Sequence, residues 1–366
     1  MMTIHAKWLA ALLAILALAA PASAQPAGTS AVVDARHAGR EGARVAGART
    51  YRTIGGALGA APRTSARYVV FIRDGRYREK LTVERPSVTL VGESRDGTIL
   101  TFDAASDTRD PAGVPYGTRG SFTLRIVAPD FQADNLTIEN GFDYPANAAK
   151  AADDPTRFRN TQAVAVMTAG ASDRARFTRC RITGYQDTLF PNAGRHYFHG
   201  CIISGHVDFI FGAGQAVFDD CDIVSRDRDD AANNGYVAAP STAMGKPHGF
   251  LFIRSRLKKE SPAMAPGSVA LGRPWHPSAD PLVFSRAAFV DVYMDDHIGA
   301  RGWDRMSSVD STTTIRYWFE PANAGFFEYG STGPGAVASP TRRVLTPGEA
   351  RGYTIPAVLG DWDPKR

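Results

Sequence analysis

The chain has 366 residues, of which 44% are apolar and 22% charged, with 35 glycines and 23 prolines. That length excludes a peptide or a small disulfide-stapled module, and the composition excludes wholesale disorder. A formal net charge of +5, carried mostly by arginine, suits an acidic partner through the guanidinium fork, whereas no basic block with interleaved aromatics marks a nucleic-acid binder.

In chain order, Lys7 is followed by an apolar run from Trp8 to Ala20 and then by Pro21-Ala22-Ser23-Ala24. A basic start, an apolar middle too short to span a bilayer and a small-residue end predict a secretory signal peptide over residues 1–24, cut near Ala24. The product is expected to be secreted or periplasmic. No later apolar run reaches the length of a membrane span, so no membrane partner is expected, and with no linker setting off a second domain residues 25–366 are expected to form one domain.

Short β-branched or aromatic runs follow: Tyr68–Ile72, Val88–Val91, Thr98–Phe102, Phe122–Val127, Leu136–Ile138, Ala163–Val166 and Val269–Leu271. They predict a mainly β chain. Residues 103–116, 142–159, 225–234 and 258–267 are polar or rich in Pro, Gly and Ala, and read as projecting loops that wall a cleft. Near the end, Thr346-Pro-Gly-Glu-Ala-Arg351 reads as a capped short helix closing the structure.

A repeat decides the architecture. Phe177-Thr-Arg-Cys180-Arg-Ile182, Phe198-His-Gly-Cys201-Ile-Ile203 and Phe218-Asp-Asp-Cys221-Asp-Ile223 share Phe-x-x-Cys-x-Ile, with weaker copies at Phe131–Leu136 and Phe252–Leu257. A period near twenty residues is that of a solenoid, here a parallel β-helix whose equivalent positions stack one strand spacing apart. Stacking brings Cys201 within disulfide reach of Cys180 on one side and of Cys221 on the other, and leaves both pairings open.

The same alignment finds the chemistry. Asp187 lies seven residues beyond Cys180 and Asp208 seven beyond Cys201, so two carboxylates are expected side by side on neighbouring coils. So close together they do not both ionise readily, which leaves one charged and one protonated. Strand alternation predicts Phe209 and Phe211 on the inner face opposite Asp208 and Ile210, and Asp187 with Leu189 opposite Thr188 and Phe190. Gln186 then points inward, unless the chain bends at Gly184-Tyr185.

Gln162-Ala-Val-Ala-Val166, Gly184-Tyr-Gln-Asp-Thr-Leu189, Gly205-His-Val-Asp-Phe-Ile-Phe-Gly212 and Leu271-Gly-Arg-Pro-Trp275, in that order, are the segments by which the chain resembles the pectin methylesterases. Gly75–Glu79 and Ser331–Ala336 extend the likeness over nearly the whole chain after the leader. The resemblance implies a single-stranded, right-handed parallel β-helix catalytic domain that acts as a monomer and removes methyl esters from galacturonic acid residues of pectin, without metal or organic cofactor. It places the nucleophile on Asp208, the acid/base on Asp187, the oxyanion-holding amides on Gln162 and Gln186, the guanidinium on Arg273 and a sugar-stacking ring on Trp275. Tyr185, Phe211 and Met244 are expected to line the substrate cleft. A Cys201–Cys221 disulfide is implied as well, and His206 reads as structural. Two other readings keep the fold: a thioesterase, and a carbohydrate-binding β-helix without catalysis.

Overall fold

The computed structural model describes residues 25–365, so the expected leader lies outside the described residues. Three sheets run the length of the molecule, of twelve, eight and seven strands, and almost every pairing between neighbours is parallel. Each of the seven central coils gives one strand to each sheet, and the end coils add strands mainly to the largest. Ala175–Thr178, Arg181–Thr183 and Leu189–Pro191 make one coil; Arg195–His199, Ile202–Gly205 and Ile210–Gly212 make the next. The molecule is a parallel β-helix, as the repeat predicts.

The corners have a common cause. Between the first and second strands of successive coils the chain turns on one residue with positive φ: Asn135, Arg179, Gly200, Asp220, Arg254, Asp291 and Gly330. A single left-handed residue turns the chain from one sheet into the next without a loop, which is why Asn, Asp and Gly recur there although arginine also occupies two corners.

Inside, like residues stack. Between ring centroids, Phe177 lies 4.8 Å from Phe198, Phe198 4.9 Å from Phe218, Phe218 4.5 Å from Phe252 and Phe252 4.4 Å from Phe289, all stacked with nearly parallel planes. Beside them Ile182, Ile203 and Ile223 are register partners. The repeat is therefore a packing repeat: each coil buries the apolar rung of its neighbour.

Three expectations need correction. Cys180, Cys201 and Cys221 are all buried free thiols, so the implied 201–221 bridge is not formed. Each sulfur instead faces backbone carbonyls, Cys201 that of Phe177 at 3.4 Å and Cys221 that of Phe198 at 3.5 Å. The strand expected at Ala163–Val166 is shifted, running Val166–Thr168. Thr346 does cap a short helix, in a reciprocal box with Glu349, but the tail does not close the end of the solenoid. Val358 and Leu359 lie flat against Tyr197, Val217 and Leu251 on the outside of the largest sheet, because that face is apolar and otherwise bare. Finally, an antiparallel hairpin, Met306–Val309 with Arg316–Phe319, stands outside the coil pattern.

Among the described residues no helix is long and apolar enough to cross a membrane.

Candidate active site

The seven-stranded sheet carries the site. Leu189 pairs with Ile210 in parallel register, which puts Asp187 and Asp208, each two residues earlier, on neighbouring coils; the Asp187 amide donates to the Val207 carbonyl at 3.1 Å. Both aspartates have positive φ, 59° and 50°. Each is the left-handed residue that turns its coil into the seven-stranded sheet, so the carboxylate projects outward where the chain bends.

That bend overturns the expected alternation. Phe209 and Ile210 both enter the core, whereas Phe211 turns outward beside Asp208. One coil back, Leu189 is in the core and Phe190 is outside. A left-handed residue shifts the period of two by one position, so Phe190 and Phe211 stack 4.0 Å apart on the outer wall rather than filling the interior.

A pocket of about 540 Å³ collects Gln162, Gln186, Asp187, Asp208, Phe211, Arg273 and Trp275, seven of the nine residues expected to act on or bind substrate. Its size is that of a small-ligand site. Arg273 grips Asp208 with both prongs, Nε to Oδ1 at 2.8 Å and Nη2 to Oδ2 at 2.5 Å. Both partners are largely buried. Burial opposes the Arg273 charge, but the Asp208 carboxylate outweighs it and holds the guanidinium's pKa above its ordinary value. The guanidinium also lies 4.0 Å over the Tyr236 ring.

Asp187 is 9% exposed and has no such clamp. Burial, reinforced by the Asp208 charge, pushes its carboxyl well above the usual carboxylate range, against a weaker pull from Arg273. The two aspartates thus divide: one held beside a cation, the other favouring its proton.

The glutamines sit on adjoining coils, the Ala163 amide bonding to the Gln186 carbonyl at 3.0 Å. Thr161 Oγ1 donates to Gln186 Oε1 at 2.9 Å, which occupies the amide oxygen and leaves the NH2 as the free end. Gln186 reaches the pocket, not the interior, through the bend that its sequence permits. Trp275 meets Phe211 edge to face at 5.5 Å and forms an aromatic wall with it.

Two expected residues lie elsewhere. Tyr185 borders a separate depression with Arg226 and Ser204, its ring under the Arg226 guanidinium at 3.7 Å. It faces that way because it precedes the bend that swings Asp187 round. Met244 is exposed on the loop after Gly235–Pro240, its amide tied to the Leu282 carbonyl at 2.8 Å, and is not among the pocket residues. His206 is buried between Tyr144 and Tyr185, and its Nδ1 accepts from the Val207 amide at 2.7 Å.

Sequence reasoning missed Thr118, Arg119, Phe190, Ala239, Pro277, Ser278 and Met306, which complete the pocket. Phe190 was recoverable by allowing for the bend. Arg119 comes from the short helix Gly117–Gly120 and Met306 from a hairpin, neither of which any repeat marks. Among the described residues no cluster of three or more His, Cys, Asp or Glu side chains is placed to hold a metal ion.

Known proteins resemble this chain in sequence and in fold. The Pectinesterase family profile matches residues 43–360. Pectinesterase A of Dickeya chrysanthemi is 42% identical over 328 residues, covering 86% of this chain and 88% of the relative. Among solved structures, a pectin methylesterase of Erwinia chrysanthemi superposes with a TM-score of 0.86 at 42% identity, covering 92% of this chain and 98% of the other. One from Yersinia enterocolitica gives 0.82 at 46% identity, covering 85% and 99%. A pectin methylesterase bound to a hexasaccharide, 41% identical, also superposes at 0.86, covering 92% and 98%. By sequence and by fold, then, this chain belongs to the pectinesterase family.

Proposed function

We propose that the protein is a carboxylic ester hydrolase that removes methyl esters from galacturonic acid residues of pectin, with Asp208 as nucleophile. The observation that carries the reading is the division of the aspartate pair: Asp208 is held by both prongs of Arg273, while Asp187 beside it favours its proton.

Asp208 attacks the ester carbonyl, and its C–O bond to the substrate carbon forms a tetrahedral intermediate. Negative charge collects on the former carbonyl oxygen, where the amide NH2 groups of Gln162 and Gln186 receive it. The intermediate collapses by breaking the bond to the methoxy group, and Asp187 gives that oxygen its proton, so methanol leaves and an acyl-enzyme anhydride remains. Asp187, now ionised, takes a proton from a water molecule that attacks the anhydride. Collapse returns Asp208 as carboxylate, Asp187 as acid and the galacturonate carboxyl as product. Trp275 and Phe211 offer an apolar face for the sugar ring.

The groups the reaction uses, Gln162, Gln186, Asp187, Asp208 and Arg273, gather in one pocket of the fold, which supports action as a monomer. The basic, apolar and small-residue order of positions 1–24 supports export to the periplasm or the medium.

The test is methanol release from methyl-esterified pectin by wild type and Asp208→Asn side by side. Wild type is expected to release methanol and the variant to lose about 10⁴-fold or more, with an unchanged fold by circular dichroism. Equal release by both sinks the nucleophile; no release by wild type, with pectin still bound, leaves the carbohydrate-binding reading.

A further inference from the structure

The guanidinium that grips Asp208 reaches a long way to do so. Asp208 precedes the strand Ile210–Gly212 and Arg273 follows the strand Val269–Gly272, and between these two in the seven-stranded sheet runs Gly235–Pro240. The Arg273 side chain therefore crosses two strand spacings, roughly 9.6 Å, over the outer face of the strand between. Tyr236 is the residue it crosses. It pairs in register with Ala270, packs with Val207 and Ala270 in a small apolar cluster apart from the main core, and its ring lies 4.0 Å beneath the guanidinium. The ring is fixed at its far end: Asn233 Nδ2 donates to the Tyr236 hydroxyl at 2.9 Å, and that hydroxyl donates to Asp304 Oδ2 at 3.4 Å. Tyr236 is 7% exposed and is not among the residues that line the pocket.

A long side chain that presents two N–H groups in one plane to a carboxylate gives up the freedom of several rotatable bonds. A second carboxylate beneath it would hold it in place but would also draw off its charge and its N–H groups. An aromatic face attracts the cation and leaves those N–H groups to Asp208. From this placement we infer that Tyr236 is a positioning residue, which fixes the plane of the Arg273 guanidinium so that both prongs stay on Asp208, and which does not itself touch substrate. The inference rests on the function proposed above. Around Asp208 the charged and titratable groups are Asp187 on the preceding coil and Arg273 two coils on, with Tyr236 between them. Removal of the ring loosens Arg273 alone among these, and a looser cation lets Asp208 take up a proton at higher pH.

The experiment follows methanol release from methyl-esterified pectin against pH for wild type, Tyr236→Phe, Tyr236→Leu and Tyr236→Met. Leucine and methionine both remove the ring, so the comparison stands if one of the two variants does not fold by circular dichroism. Each folded ringless variant is expected to lower kcat about ten-fold, the scale of a desolvated cation–π contact, with KM within about two-fold of wild type, and to move the acid limb of kcat/KM up by about half a pH unit. Tyr236→Phe keeps the ring and drops the hydroxyl; it should lose about three-fold at most and leave the acid limb in place. An acid limb unmoved in the ringless variants overturns the inference, and so does failure of both to fold, which would make Tyr236 a structural residue. A loss in Tyr236→Phe equal to theirs also overturns it, by giving the role to the hydroxyl and Asp304. Absence of methanol from wild type would instead refute the underlying function, and is told apart because no wild-type pH curve then exists.

Discussion

Two ladders run through the same coils and obey the same geometry with opposite energetics. Inside, phenylalanines 177, 198, 218, 252 and 289 stack ring on ring, and each rung adds apolar burial to the next. Outside, Asp187 and Asp208 occupy equivalent places one coil apart, and the same register presses like groups together at a cost. The parallel register is indifferent to chemistry; it amplifies whatever is stacked. The core uses that amplification for stability. The outer wall spends stability on a shifted proton, and Arg273 limits the loss.

The largest expected break in this contrast is in the core. Phe198 is 1% exposed with a ring on either side, so Phe198→Ala should cost about 3–5 kcal/mol by urea unfolding, as removal of a buried aromatic does. A loss under about 1 kcal/mol would mean that the coils do not depend on the ladder.

Asp187→Asn should act in the opposite sense. It removes a group whose folded pKa is raised, and such a group contributes stability that is present below its unfolded value, 3.8, and is lost as pH rises through the folded value. The variant should therefore melt higher than wild type at neutral pH and no higher near pH 3, while methanol release falls about 10²–10⁴-fold. Thermal melts at the two pH values check it; a lower melting temperature at neutral pH would show that the pair is not strained.

The smallest effect concerns His196, buried in the sheet with Thr168 Oγ1 at 2.8 Å from one ring nitrogen and the Gln215 carbonyl at 3.2 Å from the other. Burial takes its pKa down from 6.5 to about 4. A depressed folded pKa gives stability that is present above the unfolded value and lost as pH falls through the folded one. His196→Gln should flatten the decline in unfolding midpoint between about pH 6.5 and 4, measured in urea at intervals of half a pH unit. An unchanged slope would assign that decline to other groups.

The Phe-x-x-Cys-x-Ile repeat made the coils and the aspartate pair legible, because a stacked architecture repeats its constraints in the sequence. What it concealed is equally physical. Alternation failed at Phe190 and Phe211 because Asp187 and Asp208 are themselves left-handed corner residues, and a corner resets the period of two. Tyr185 and Met244 lie on the far side of such a bend and on a loop, where spacing carries no direction. The Met306–Val309 and Arg316–Phe319 hairpin has no counterpart in other coils, so nothing in the repeat announced that Met306 reaches the pocket. Arg119 was invisible for the same reason. The thiols stack as the alignment required, yet stacking alone does not decide whether sulfurs join.

The aromatic rungs keep their spacing although the chain between them does not keep its length. Far more residues separate Phe218 from Phe252 and Phe252 from Phe289 than separate Phe198 from Phe218, while the ring centroids stay 4.5, 4.4 and 4.9 Å apart. Added sequence leaves the column at the loops and returns in phase. The scaffold therefore works like a spine with ribs of unequal length: the segments between rungs can lengthen or shorten while the vertebrae beneath them stay aligned.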